Sequence, residues 1–237
     1  MINYAHRGAS EYAPENTLSS FYLGLLQGAN GIETDVQRTK DGVLVLFHDD
    51  TLDRVTDHRG RLCDHMWDQL KEAKVYGNAK NGFYDRILTL SEFLEKFSAY
   101  NLRFAIELKG EGVEEETLAA VKGSGILGRT TFTAFRYEAI QRIKALDPTA
   151  RVGLLTDSTD DETVKALIAI GAEEIAPKAE LITPALMEKW RNAGLGVRAW
   201  GVFNTALMEK MCSLGVDGMT VNFPDRLQAY LAAGGLA

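Results

Sequence analysis

The feature of this sequence that most constrains its fold is a regular alternation of short apolar runs with segments whose apolar residues recur at helical spacing. The apolar runs that precede a helical segment are eight in number, near residues 3, 34, 104, 132, 153, 175, 198 and 218. Eight strand–helix units in 237 residues predict an α/β protein folded as a (β/α)8 barrel, the TIM-barrel fold.

A doubly wound open sheet is the competing arrangement for alternating strands and helices. Such a sheet normally carries a glycine-rich turn after its first strand. Here the first apolar run ends at His6-Arg7-Gly8, which does not match the G-x-G-x-x-G pattern. The barrel is therefore the preferred prediction.

The length suits one large domain, so we expect a single barrel domain spanning residues 1–237. A small insertion after the second strand region, at about residues 49–87, interrupts the alternation with polar, turn-like sequence and a loop-like stretch at 77–82. We expect it to contain too few apolar residues for a core of its own. Pro14 is expected in the first turn of the first helix.

Composition excludes several classes of protein. The net charge of −7 argues against a nucleic-acid-binding surface. The only two cysteines, Cys63 and Cys212, are far apart and indicate neither a disulfide framework nor a zinc cluster. No apolar run is long enough to span a bilayer, and no signal peptide precedes the first strand. We therefore expect a cytoplasmic protein without a membrane span.

Residues 31–49 form the most informative stretch, because they predict two short strands joined by a tight turn at residues 40–42. Side chains alternate along a strand, so Glu33 and Asp35 should point the same way and repel each other. A bound divalent cation would relieve that repulsion. The stretch ends at His48, which places an imidazole at a strand end.

In a (β/α)8 barrel the active site lies at the carboxyl ends of the strands. Residues able to do chemistry occur at or just after the predicted strands, as this fold requires. They are His6, Arg7, Glu33, Asp35, His48, Glu107, Lys109, Lys178, Trp200 and Asn222.

Several short motifs occur together in one order along the chain. They are His6-Arg7-Gly8, Pro14-Glu15-Asn16-Thr17, Glu33-x-Asp35-Val36, Thr39-x-Asp41-Gly42, His48-Asp49, Leu52-x-Arg54-x-Thr56, Glu107-x-Lys109 and a late segment at 215–225. In this order and spacing they resemble the glycerophosphodiester phosphodiesterases, barrel enzymes that cut glycerophosphodiesters to glycerol 3-phosphate and an alcohol. The resemblance covers essentially the whole chain and implies a small-molecule glycerophosphodiester substrate.

Glu33, Asp35 and Glu107 match the three positions that hold the metal in that family. An all-carboxylate set without cysteine favours one divalent cation, Mg²⁺ or Ca²⁺, over zinc. The alternative for Glu107 is a simple salt bridge to Lys109 or Arg7.

His6 and His48 match the two catalytic histidines of that family. Histidine titrates near neutral pH, so it can transfer protons in both directions. The alternative for each is a structural hydrogen bond. The other histidines, His58 and His65, lie in the insertion and are expected at its surface or at the rim of the site.

The candidate substrate-binding residues are two cations beside the carboxylates, Arg7 and Lys109, and two weaker candidates, Lys178 and Trp200. Arginine can hold phosphate oxygens in a bidentate manner, and lysine acts as a point charge. Both cations could equally pair with the metal-binding acids. Trp200 is expected either as an apolar wall for glycerol or as barrel core.

Rival functions are a related barrel phospholipase, of the phospholipase C or D type, and a non-catalytic binder of phosphorylated ligands. The acidic net charge disfavours the first, and the complete set of acids and histidines disfavours the second. The sequence is compatible with a homo-oligomer. It does not define the leaving alcohol, the order of attack or the histidine that acts as the acid.

Overall fold

The structure is a computed structural model that describes residues 1–77 and 83–234. The strands are β1 Ile2–His6, β2 Gly31–Arg38, β3 Leu44–Leu46, β4 Lys74–Tyr76, β5 Tyr84–Arg86, β6 Leu88–Thr89, β7 Arg103–Leu108, β8 Thr130–Ala134, β9 Arg151–Thr156, β10 Glu174–Pro177, β11 Gly196–Val202 and β12 Gly218–Val221. The helices are α1 Leu18–Leu26, α2 Trp67–Leu70, α3 Leu90–Phe97, α4 Glu114–Gly123, α5 Tyr137–Leu146, α6 Asp161–Ala169, α7 Pro184–Asn192, α8 Thr205–Leu214 and α9 Pro224–Ala232.

Eight parallel strands close into a barrel. They follow the order β1-β12-β11-β10-β9-β8-β7-β2, and pairing of β2 with β1 completes the circle. The eight barrel strands are those predicted, and the (β/α)8 barrel is confirmed. The main hydrophobic core lies between the outward faces of the strands, for example Ile32 and Ile106, and helix residues such as Phe21 and Trp190.

The predicted hairpin after β2 is present. β3 pairs antiparallel with β2, with Val36 opposite Leu46. Gly42 in the connecting turn has φ +89°, a conformation that favours glycine. The hairpin holds the segment after β3, including His48, beside the carboxyl end of β2.

The expected start of the first helix is wrong. Helix α1 begins at Leu18, with Thr17 as its N-cap in a capping box with Ser20. Pro14 therefore lies outside the helix. The segment before it contains two non-glycine residues at positive φ, Arg7 at 55° and Asn16 at 58°, and it folds as a loop over the barrel end.

The insertion contributes to a small hydrophobic cluster that it shares with β3. Apolar side chains of the insertion pack against Val45, which lies in β3, and Phe47, which follows β3. The buried members are Val45, Phe47, Leu52, Val55, Leu62, Leu70, Ala73, Val75 and Ile87. Of the predicted loop at 77–82, residues 78–82 lie outside the described residues. Within the described ranges, no helix is long and apolar enough to cross a membrane.

Candidate active site

A cavity of about 330 Å³ lies at the carboxyl end of the barrel strands. It is lined by most of the side chains that the sequence singles out, which lie in or just after β1, β2, β3, β7, β11 and β12. These are His6, Arg7, Glu33, His48, Glu107, Lys109, Trp200 and Asn222. Residues far apart in the sequence therefore meet at this cavity, because the carboxyl ends of the barrel strands lie together.

The three predicted metal-binding carboxylates converge. Glu33 and Asp35 project from the same face of β2, and Asp35 lies opposite Glu107 in the register of β2 and β7. One carboxylate oxygen from each lies within 4.8 Å of the others, and all three residues are buried.

The electrostatics of this cluster are those of a site that could hold a cation. Burial and the neighbouring Asp35 carboxylate raise the pKa of Glu33 well above its usual range, and the same two causes raise the pKa of Glu107. The pKa of Asp35 is lowered because Arg7 and other cations outweigh the effect of burial. Asp35 Oδ1 is buried and has no hydrogen-bond partner among the described residues. Carboxylate oxygens are hard ligands, and Asp35 Oδ1 is available for a further contact, so this set of ligands fits Mg²⁺ or Ca²⁺.

Arg7 is fixed against the acidic cluster from several sides. Its Nε lies 3.2 Å from Asp35 Oδ2, and its Nη1 donates to Glu15 Oε1 at 3.0 Å. Its backbone N–H donates to Glu33 Oε2 at 3.1 Å. The guanidinium is thus held at the cavity wall before any ligand binds.

His6 is oriented by Asn222. The two side chains share a hydrogen bond of 2.5 Å between His6 Nδ1 and Asn222 Oδ1, while His6 Nε2 lies 3.9 Å from Glu33 Oε2. Since an amide oxygen only accepts hydrogen bonds, Nδ1 carries the proton. Burial and the charge of Arg7 lower the pKa of His6 to about 4, so the ring is neutral at pH 7.

His48 lies between an acid and a cation. Its Nδ1 lies 2.6 Å from Asp49 Oδ1, and its Nε2 lies 3.1 Å from Lys109 Nζ. Lys109 also donates to Glu107 Oε1 at 3.0 Å. The imidazole is therefore fixed with Nε2 beside the ammonium group that faces the cavity.

Arg54 of the insertion connects the two histidine neighbourhoods. It donates to both oxygens of Asp49, at 2.5 and 3.0 Å, and to both oxygens of Glu15, at 2.9 and 2.7 Å. Glu15 in turn holds Arg7. Through these contacts Glu15 supports Arg7, and Arg54 supports both Glu15 and Asp49.

The remaining predicted site residues lie toward the rim. Trp200 lines the cavity, and its Nε1 donates to Thr156 O at 3.2 Å. Its ring meets Phe135 edge-on at 5.2 Å. Lys178 is different: its Nζ pairs with Glu180 at 2.8 Å, and within the described residues it is not among the side chains that line the cavity.

Sequence reasoning missed Asn16 as a site residue. Its Nδ2 donates to Asp35 Oδ2 at 2.9 Å, and its Oδ1 accepts from Thr34 Oγ1 at 2.8 Å. Asn16 belongs to one of the family motifs, and this is the sequence signal that marks it; Pro14 in the same motif favours a helix start instead. The exposed rings of Phe135 and Phe203 at the mouth were also missed, and no pattern in the sequence marks them.

The chain matches the model of the Glycerophosphoryl diester phosphodiesterase family over residues 6–226. It is 32% identical to a glycerophosphodiester phosphodiesterase from Caldanaerobacter subterraneus subsp. tengcongensis, over 98% of each chain. It is also 32% identical to an uncharacterized protein of Bacillus subtilis, YqiK, over 96% of this chain and 97% of that protein.

Among solved structures, the chain is similar to an Oleispira antarctica phosphodiesterase in complex with the product sn-glycerol-3-phosphate. The two share 31% identity with a TM-score of 0.87, covering 97% of this chain and 96% of the other. It is also similar to a glycerophosphodiester phosphodiesterase from Agrobacterium tumefaciens, at 27% identity and a TM-score of 0.85, over 95% of this chain and 98% of the other.

Proposed function

The chain belongs to the glycerophosphoryl diester phosphodiesterase family, and we propose that it hydrolyses glycerophosphodiesters with one divalent cation and two histidines that transfer protons. The protein is a glycerophosphodiester phosphodiesterase, and its substrate is a small molecule. The observation that carries the mechanism is the position of three buried carboxylates, within 4.8 Å of one another, at a cavity lined by His6 and His48. Release of glycerol 3-phosphate, measured before and after removal of divalent cations, tests this proposal.

Glu33, Asp35 and Glu107 are the residues that would hold the cation. The unpartnered Asp35 Oδ1 and the raised pKa values of Glu33 and Glu107 support this assignment. When bound, Mg²⁺ or Ca²⁺ supplies neutralisation of the negative charge that grows on the phosphodiester oxygens.

Arg7 and Lys109 are the groups that we assign to the phosphate. Both line the cavity, and both are already paired with the acidic cluster, at Asp35 and Glu107 respectively. An anionic substrate can share these cations with the acids, because a guanidinium has five N–H donors and an ammonium three. Trp200 would form an apolar wall for glycerol, and Lys178 stays a weaker candidate for a phosphate contact.

We assign His6 as the general base. Its Nδ1 proton is engaged by Asn222, and the ring is neutral at pH 7, so Nε2 has a free lone pair. Nε2 would take the proton from the attacking hydroxyl, either water or the free glycerol hydroxyl that would give a cyclic phosphate. The same base serves both routes.

We assign His48 as the general acid. The Asp49 carboxylate accepts a hydrogen bond from Nδ1 and orients the ring, so that Nε2 is the nitrogen available for proton transfer. An ammonium group only donates hydrogen bonds, so Nε2 can carry a proton once Lys109 turns from His48 to the substrate phosphate. His48 Nε2 would then donate its proton to the oxygen of the leaving alcohol.

The cytoplasmic location and the homo-oligomer stay predictions from the sequence.

Lys109→Ala is expected to weaken binding of glycerol 3-phosphate by about tenfold or more, because one charge-assisted hydrogen bond is worth about 1.5–3 kcal/mol. Isothermal titration with glycerol 3-phosphate measures the effect. Lys165→Ala, which changes an exposed lysine paired with Glu162 on α6, is the matched control and should bind like the wild type. Unchanged product affinity in Lys109→Ala would remove Lys109 from the phosphate site.

A further inference from the structure

A second cavity, of about 510 Å³, lies at the opposite end of the barrel, where the strands begin. It is lined by residues at or near the amino-terminal ends of the barrel strands, among them Tyr4, Arg103, Thr131 and Arg151. Neither catalytic histidine nor any of the three metal-binding carboxylates borders it. It is therefore separate from the site of hydrolysis.

Strand register explains how this cavity forms. Tyr4 lies opposite Gly31, and Gly31 lies opposite Arg103, so all three positions face the barrel interior with Glu33 above them. A Cβ atom at Gly31 would come within 2.6 Å of the Tyr4 ring. Where many barrels of this fold fill the interior with branched apolar side chains, this one has a glycine and a tyrosine ring and leaves space below.

The cations at the mouth of this cavity are free to bind a ligand. Arg103 and Arg151 are exposed, and within residues 1–77 and 83–234 neither guanidinium makes a hydrogen bond or an ion pair. The third arginine, Arg129, is occupied, because it donates to the backbone carbonyls of Ser98, Tyr100 and Leu102.

The acids that border the cavity already have partners. Glu173 pairs with Lys144 at 2.6 Å, and Glu174 accepts from Arg198 Nε at 2.8 Å. Asp217 accepts from the backbone N–H of Val197 at 2.8 Å. Among the described residues Asp217 has no cation partner, so one negative charge lies beside the three arginines Arg103, Arg129 and Arg151. The sum of the charges that are not ion-paired at this cavity is positive, in a protein whose net charge is −7.

Two hydroxyl groups lie deeper in the cavity. Tyr4 is 4% exposed and Thr131 is 6% exposed, and neither hydroxyl has a hydrogen-bond partner among the described residues. Burial raises the pKa of Tyr4, so its hydroxyl keeps its proton and can donate a hydrogen bond. Both hydroxyl oxygens are accessible from the cavity, because neither is among the fully buried oxygens that lack a partner in the described residues.

We propose that this amino-terminal cavity is a phosphate-binding site, in which Arg103 and Arg151 hold the phosphate oxygens and the Tyr4 hydroxyl donates from the cavity floor. Arginine forks match phosphate geometry and give charge-assisted hydrogen bonds. A phosphate group has enough oxygens to accept from two arginines and a phenol at once. The ligand is inorganic phosphate or the phosphate group of a small phosphomonoester.

The test is the number of phosphates bound per chain, measured by equilibrium dialysis with radiolabelled inorganic phosphate. The variants are the double substitution Arg103→Ala/Arg151→Ala and the single substitution Tyr4→Phe. A matched control, Arg59→Ala/Arg142→Ala, removes two exposed arginines that lie outside this cavity. Circular dichroism and glycerophosphodiesterase activity report that each variant is folded, and both should match the wild type.

We expect the wild type and the control to bind one more phosphate per chain than Arg103→Ala/Arg151→Ala. Tyr4→Phe should bind this phosphate more weakly, by about tenfold or more, the effect of one hydrogen bond to a charged group. Competition with glycerol 3-phosphate distinguishes the two candidate ligands. Displacement of labelled phosphate from this site shows that a phosphomonoester also fits. Absence of displacement restricts the site to inorganic phosphate. Equal stoichiometry in the wild type and the double variant would overturn the proposal.

Discussion

Glu33→Gln is expected to lower kcat for glycerophosphodiester hydrolysis by at least about a thousandfold, while making the metal-free protein more stable. A metal that neutralises charge on a phosphoryl group contributes several kcal/mol to the transition state. Losing one carboxylate of three removes much of that contribution. The change in stability has the opposite sign, because three buried carboxylates within 4.8 Å repel one another.

The pH dependence follows from the raised pKa of Glu33. Above its ordinary value of 4.5 the folded protein binds more protons at this residue than the unfolded chain does. Its contribution therefore makes the metal-free protein less stable as the pH rises from 4.5 toward the folded-state pKa. Glutamine carries no charge, so the variant should lose this part of the pH dependence.

Urea unfolding in EDTA at pH 5 and pH 8 measures the stability, and release of glycerol 3-phosphate measures the activity. Glu162→Gln, a change of an exposed acid on α6, is the matched control and should leave both unchanged. A Glu33→Gln variant with wild-type activity, or one less stable than the wild type in EDTA at pH 8, would contradict the assignment of this cluster.

His6→Ala and His48→Ala are each expected to lower kcat by at least about a hundredfold, because a positioned proton-transfer group typically contributes about 10²–10⁴. Both variants should still bind a divalent cation, since neither histidine belongs to the carboxylate cluster. His58→Ala, which changes a histidine of the insertion paired with Asp57, serves as the control and should keep full activity.

A substrate with a p-nitrophenol leaving group separates the two roles, because this leaving group needs little help from an acid. On that substrate His48→Ala should recover much of its rate, and His6→Ala should not. Recovery by His6→Ala alone would reverse the assignment of acid and base. If both variants stay near wild-type rates on natural glycerophosphodiesters, the two-histidine mechanism fails.

The parts of this protein that follow from its sequence are those set by local periodicity. The eight barrel strands lie where apolar spacing predicts them. The convergence of Glu33 and Asp35 also follows locally, because alternate residues of a strand share a face. Glu107 joins them because the fold places strand ends together.

The features of this protein that do not follow from its sequence depend on contacts between segments far apart in the chain. No spacing rule places Arg54 on Asp49 and Glu15 at once, or Asn16 against Asp35. The small hydrophobic cluster at the insertion likewise depends on separate segments, because Val45 and Phe47 come from β3 and the residue after it. The cavity at the other end of the barrel depends on the register of strands far apart in the chain.

The central claim is that three carboxylates of this barrel hold a cation that the hydrolysis requires. Its most direct test is release of glycerol 3-phosphate from a panel of glycerophosphodiesters by the wild-type protein, before and after EDTA treatment and after addition of Mg²⁺ or Ca²⁺. We predict that chelation abolishes the release and that one of these ions restores it. Undiminished release of glycerol 3-phosphate by the chelated protein would contradict the claim.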